Sequence, residues 1–189
     1  MVGHIKDVAD RFAAEGFVAL APDLYHGEQA KSPDAAGKLM MALNIAEAAK
    51  DLRGAANYLV GLDGVSPKKV ASLGFCMGGQ LALFAACEAP EVIGAAVDFY
   101  GVHPAVTLDV ARLSGPVLAH FATRDKTTTP EIANALIERI RSAGKEIEAY
   151  FYDADHAFFN DQRPAVYDPG AAAVAWERTL SFLRKAAQL

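Results

Sequence analysis

Leu73-Gly74-Phe75-Cys76-Met77-Gly78-Gly79-Gln80 decides how this chain is read. The run Lys69–Phe75 before it has the length and composition of a buried strand, and Met77–Cys87 after it reads as a helix. Between them stands G-x-C-x-G-G, a nucleophile elbow with cysteine in place of serine. Such a turn is strained, and side chains at Gly74 and Gly78 are expected to block the close approach of strand and helix. The turn also aims the Met77 N–H at the position of a developing oxyanion, and the positive end of the helix favours a thiolate at Cys76. A phosphate-binding loop would need Lys and then Ser or Thr after the last glycine, where Gln80-Leu81 stand. A dinucleotide fingerprint needs G-x-G-x-x-G, and Phe75-Cys76 do not fit it. The bland alternative for Cys76 is a structural cysteine in a tight turn. Cys87, in an alanine-rich stretch, reads as core.

Working outward, glycines and prolines divide the chain into alternating strands and helices. Ile5, Val8 and Phe12 follow helical spacing, with Gly16 as the C-terminal cap. Phe17-Val18-Ala19-Leu20-Ala21-Pro22 reads as a short buried strand. Ser32-Pro33-Asp34 starts a helix whose apolar positions continue from Leu39 to Leu59 and stop at Gly61. Beyond the elbow come strand Val92–Tyr100, strand Gly115–Ala122, a helix opened by Thr129-Pro130, strand Ile147–Tyr152, and a helix carrying Trp176, Leu180 and Leu183. This alternation predicts an α/β fold with a mostly parallel sheet flanked by helices, whose sites lie at the carboxyl ends of the strands.

Composition limits the rest. A chain of 189 residues suits one domain, residues 1–189, and 52% hydrophobic with 22% charged residues excludes disorder. A net charge of −5 argues against a nucleic-acid partner, and no apolar run is long enough to span a membrane. The N-terminus, Met1 to Asp7, lacks the layout of a signal peptide, which predicts a cytoplasmic protein, either monomer or homodimer. Two cysteines make no disulfide framework, and without H-E-x-x-H or paired C-x-x-C neither a metal nor a cofactor is expected.

A thiol nucleophile needs a base, and the base needs an orienting group. Asp125, in Thr123-Arg124-Asp125-Lys126, and His156, in Asp155-His156-Ala157-Phe158, each fall just past the carboxyl end of a strand. The chain order nucleophile, acid, histidine is the one used on α/β-hydrolase sheets. Each taken alone could be a surface residue; the joint placement is what singles them out. His120, inside an apolar strand, reads as a satisfied core histidine, and His103 before Pro104 as loop surface. His26 lines a cleft or sits in a solvated loop.

These residues resemble the dienelactone hydrolase family of α/β-hydrolases. The likeness runs from Asp7-Val8-Ala9-Asp10-Arg11 and Ala21-Pro22-Asp23-Leu24-Tyr25, through the elbow and Asp98-Phe99-Tyr100-Gly101, to Asp125, His156, Phe158, Asn160, Arg163 and Pro164. It implies a Cys76–His156–Asp125 triad that opens small ester or lactone substrates such as dienelactone, with Met77 in the oxyanion hole and Tyr25 and Tyr100 at the substrate. The sequence departs from the family in two ways. Members carry further strands and a glutamate ahead of the helix that starts here near Ile5, so the resemblance implies an N-terminally truncated sheet and the loss of a second oxyanion donor. Loss of one such donor lowers kcat about 10²–10³-fold. Where the family places an arginine four residues after the histidine, this chain has Asn160, with Arg163 three further on.

Three readings follow. In the first, Cys76 attacks the carbonyl, His156 carries the proton, Asp125 orients His156 and the Met77 N–H holds the oxyanion. In the second, the chain is a catalytically impaired fragment that acts as a binding or scaffold domain. The third, a serine esterase or peptidase on the same fold, meets the difficulty that Ser72 lies inside the strand.

Overall fold

The parallel sheet predicted from the alternation is the centre of the molecule. The computed structural model describes residues 2–188. Met1 and Leu189, the two ends of the expected domain, lie outside them. Strands β1 (Val70–Phe75), β2 (Ile93–Phe99), β3 (Val117–Ala122) and β4 (Ile147–Tyr152) pair in the order β1-β2-β3-β4, every pair parallel. Among the described residues six helices accompany them: α1 (Gly3–Ala14), α2 (Pro33–Ala42), α3 (Ile45–Gly61), α4 (Met77–Glu88), α5 (Pro130–Ser142) and α6 (Pro169–Ala186). Val110–Arg112 forms a short 3-10 turn.

Strand residues alternate between faces, and both faces are covered, which is why β2 and β3 are apolar nearly throughout. Val117, Ala119 and Phe121 join the cluster made with α4 and α5, while Leu118 and Ala122 join the opposite cluster with α1 and α6. Helices α2, α5 and α6 begin where side chains cap them: Ser32 accepts from the Ala35 N–H, Thr129 from the Ile132 N–H and Asp168 from the Ala171 N–H. Gly16 follows α1 with φ +88°, the left-handed conformation that favours glycine.

Two sequence expectations need correction. The single helix from Ser32 to Gly61 is in fact two, α2 and α3. Leu43 leaves helical geometry at ψ 122°, and Asn44 caps the second helix by accepting from the Ala46 and Glu47 N–H groups. A local asparagine cap outcompetes a continuous apolar stripe because it satisfies N–H groups that a helix start leaves open.

The run Phe17–Pro22 is not a strand. Strand geometry needs a ladder partner, and among the described residues this segment has none; Val18 and Leu20 are exposed at 55% and 42%. Among the described residues, the outer edge of β1 likewise has no neighbouring strand. Between the two runs an apolar groove of about 1410 Å³, lined by Val8 and Phe12 of α1, Val18 and Leu20, Leu52 of α3 and Leu73 of β1. This explains why β1 is only partly buried while β2 is closed on both faces.

Candidate active site

At the carboxyl edge of the sheet, β1 ends in Phe75 and α4 begins at Met77, leaving Cys76 alone to make the turn. Its backbone sits at φ 55°, ψ −126°, a conformation that an L-residue holds only where its surroundings enforce it. They do so on both sides: the Cys76 N–H donates to Phe99 O at 2.9 Å, and Cys76 O accepts from the Gly79 N–H at 2.9 Å. The steric demand on the glycines is redistributed from what the motif predicts. A Cβ on Gly74 would overlap the Gly78 carbonyl and stand 2.8 Å from Gly79 N, so Gly74 is required. At Gly78 a Cβ would meet nothing within 4 Å, because the carbonyl and not the Cα faces the strand. Gly79 is the second constrained position, its Cα lying against the Asp98 carboxyl group.

Asp125 and His156 follow β3 and β4 and meet at the same edge. His156 Nδ1 lies 2.6 Å from Asp125 Oδ2. The other Asp125 oxygen accepts from the backbone N–H groups of Thr127 (2.7 Å) and Thr128 (2.9 Å), which fix the carboxyl group in place. The His156 imidazole acts on the Cys76 thiol and favours its anion. The structure therefore brings together Cys76, His156 and Asp125, three residues spread over 81 positions of sequence, as one interacting row.

The row shifts its own ionisation. The hydrogen bond with His156 lowers the Cys76 pKa against the opposing effect of burial, helped by the Met77 N–H at the start of α4. Burial by itself would lower the His156 pKa, but its hydrogen bonds to Cys76 and Asp125 outweigh burial, and the net shift is upward. Both shifts favour a thiolate–imidazolium pair.

Tyr100 lies beside this row with its ring centroid 5.0 Å from that of His156, and is 2% exposed. Its carbonyl accepts from the Thr128 hydroxyl, which ties the loop after β2 to the loop that carries Asp125. Tyr25 stands in the turn after Asp23, half-buried, and among the described residues its side chain makes no hydrogen bond to the row. His26 is exposed and pairs with Asp51 at 2.7 Å. His120 is buried between Tyr152 (2.9 Å) and Thr179 (3.0 Å), as its apolar strand predicts. Cys87 is core, its thiol pushed up to about 11 by burial. Among the described residues no cluster of His, Cys, Asp and Glu could hold a metal ion, and no helix is long and apolar enough to cross a membrane.

Two features of the site lie outside the elbow motif and its acid–histidine pair. The paired N–H groups of Thr127 and Thr128 carry no sequence signal, because any residue supplies a backbone donor. Asp98 does leave a signal: it is the lone charge in the apolar run Val92–Tyr100.

A parallel sheet with a strained strand–turn–helix cysteine and a histidine–acid pair on the next loops defines an α/β-hydrolase. The chain matches the model of the dienelactone hydrolase family over residues 1–187, and it belongs to that family. It is similar to a protein of Aquifex aeolicus provisionally designated a carboxymethylenebutenolidase, with 32% identity over 97% of this chain and 81% of the relative. A Bradyrhizobium protein provisionally designated a 2-oxo-3-(5-oxofuran-2-ylidene)propanoate lactonase is 35% identical over 96% of this chain and 77% of its own. Among solved structures, a Klebsiella pneumoniae protein provisionally described as a dienelactone hydrolase superposes with a TM-score of 0.85 at 27% identity, covering 97% of this chain and 81% of that one. The chain is thus a hydrolase of the α/β fold.

Proposed function

We propose that this hydrolase opens small esters or lactones through a thiol nucleophile. The observation that carries the reading is the row Cys76–His156–Asp125, in which His156 is hydrogen-bonded to Asp125 and lowers the pKa of the Cys76 thiol. Cys76 Sγ, with its proton passed to His156, attacks the carbonyl carbon, and the Met77 N–H receives the oxyanion. The tetrahedral intermediate collapses by breaking the acyl C–O bond, and His156 returns the proton to the leaving oxygen. In a lactone that oxygen stays on the same molecule. His156 then takes a proton from water, whose oxygen attacks the thioester, and the departing Cys76 sulfur recovers the proton as the acid is released. Asp125 keeps the ring turned toward Cys76 throughout. Tyr100 packs on that ring, and the resemblance assigns Tyr25 to the substrate pocket. The chemistry uses neither a metal nor a cofactor. The lactonase designation of the Bradyrhizobium relative supports the substrate class.

The groove beside β1 favours a second reading, in which the chain binds without turning over. Single-turnover hydrolysis of p-nitrophenyl acetate and dienelactone separates the two, with Cys76→Ala run alongside. A product burst stoichiometric with protein, lost in the variant, is expected. Equal rates from parent and variant would overturn the assignment of Cys76, and silence from the folded parent would favour binding alone.

A further inference from the structure

One carboxylic acid lies directly beneath the nucleophile's turn and has no part in the row above it. Asp98 is completely buried near the end of β2, in register with Gly74 of β1. By the strand alternation it faces the α4 layer. Its Oδ1 accepts from the Gly101 N–H at 2.8 Å. On one side the carboxyl group occupies the space that a Cβ on Gly79, in the first turn of α4, would take. On the other, a Cβ on Gly101 would stand 2.6 Å from both Asp98 Oδ1 and Gln80 N, and would overlap Cys76 O. The carboxyl group therefore fills the seam between the elbow and the loop after β2, at the point where two glycines admit it.

We propose that Asp98 is a positioning residue for the nucleophile: its carboxyl group locks the first turn of α4 to the Phe99–Gly101 loop and so sets where Cys76 stands relative to His156. The proposal rests on the reading of Cys76 as the nucleophile. Both sides of the seam bear on the site. The carbonyl of Phe99, the last residue of β2, accepts the Cys76 N–H, and Tyr100 of the loop packs on His156. The turn of α4 carries the Met77 N–H.

The environment also favours the neutral form of Asp98 that this role calls for. The titratable groups that face it are Cys76 from the turn and Tyr100 from the loop, and neither brings positive charge. Its Oδ2 has no hydrogen-bond partner among the described residues. Burial accordingly holds its pKa well above the usual carboxylate range, against the pull of the Gly101 N–H and with the Cys76 thiolate adding to the rise. A neutral acid leaves the Cys76 thiolate unopposed; an ionised one would repel it.

The test uses the full chain with Asp98→Asn and Asp98→Ala. It reads the pH dependence of Cys76 alkylation by iodoacetamide, located by peptide mass, beside kcat and KM for p-nitrophenyl acetate. Asparagine keeps an oxygen for the Gly101 N–H and is neutral, so the alkylation midpoint and kcat of the parent should be retained. Alanine frees the seam: kcat should fall about 10- to 100-fold with KM moving less, and the Cys76 midpoint should rise as its contact with His156 loosens. An Asp98→Ala protein with parental kcat and midpoint would overturn the proposal. So would an Asp98→Asn midpoint lower by a unit, which would mean that Asp98 carries a charge and acts through it. Should Asp98→Ala fail to fold, Asp98→Ser replaces it, with the same expected and contrary outcomes. Alkylation does not depend on turnover, so failure of the thiol-hydrolase reading in the Cys76→Ala experiment stays distinguishable from failure of this one.

Discussion

Replacing Gly74 and Gly78 separately by alanine should have opposite effects on stability, although the elbow motif treats the two glycines alike. At Gly74 the added methyl would overlap the Gly78 carbonyl O and C, and it would stand 2.8 Å from Gly79 N. All three are backbone atoms, so no side-chain rotation relieves the overlap. Either β1 or the first turn of α4 must move, and both are anchored, β1 to β2 along six register pairs and the turn by Cys76 O and the Asp98 carboxyl group. Overpacking of this kind costs about 1–3 kcal/mol. For a domain of this size each kcal/mol is worth about 2–4 °C, so Tm should fall by about 2–12 °C. At Gly78 the methyl meets nothing within 4 Å, and the residue lies inside α4. Alanine there gains about 0.5–1 kcal/mol of helix propensity, a rise of about 1–4 °C. Thermal unfolding followed by circular dichroism measures both. The reasoning fails if Gly74→Ala is as stable as the parent, or if Gly78→Ala loses as much as Gly74→Ala.

The remaining predictions concern the charges. Asp125→Asn keeps the shape of the acid but removes the negative charge beside His156, so hydrolysis of p-nitrophenyl acetate should fall about 10²–10⁴-fold, read as kcat, with little change in folding. His120 is a neutral ring whose pKa burial pushes down to about 3 from an ordinary 6.5. The unfolded chain therefore binds a proton there that the native state refuses, and the stability contribution is full above about pH 6.5 and is lost as pH falls toward 3. His120→Gln should flatten the slope of urea-unfolding free energy between those pH values; an unchanged slope would remove His120 as its source. At pH 8, iodoacetamide should label Cys76 well before Cys87, since the first pKa is lowered by His156 and the second is raised by burial to about 11; peptide mapping after partial labelling decides it.

What the sequence made legible has a common physical origin. β1, the turn and α4 are specified within one short stretch by local rules: an apolar run, glycines where backbones touch, and an apolar helix. Asp125 and His156 were legible because a parallel sheet delivers every strand's carboxyl end to one edge, so their order in the chain already implied their meeting. Local signals failed where the outcome depends on a distant or non-periodic partner. Phe17–Ala21 has the composition of a strand, yet a strand exists only as one side of a ladder, and no ladder partner is present among the described residues. The α2–α3 break was hidden because one asparagine cap interrupts an otherwise even apolar stripe.

Asp98 shows where the two kinds of information join. Its charge in an apolar strand violates the local pattern, and sequence alone leaves that violation without a cause. The fold supplies the cause by placing Gly79 and Gly101 against its carboxyl group, so that residues from α4 and the loop after β2 converge on one buried acid. Burying an acid with one oxygen unpartnered is costly, and a domain tolerates few such groups. An apolar residue would fill the seam without that cost, but it would offer no acceptor to the Gly101 N–H that holds the loop against Cys76. On the role proposed for Asp98, that expense is offset by keeping the strained turn at Cys76 at a fixed distance from His156, which the row Cys76–His156–Asp125 requires.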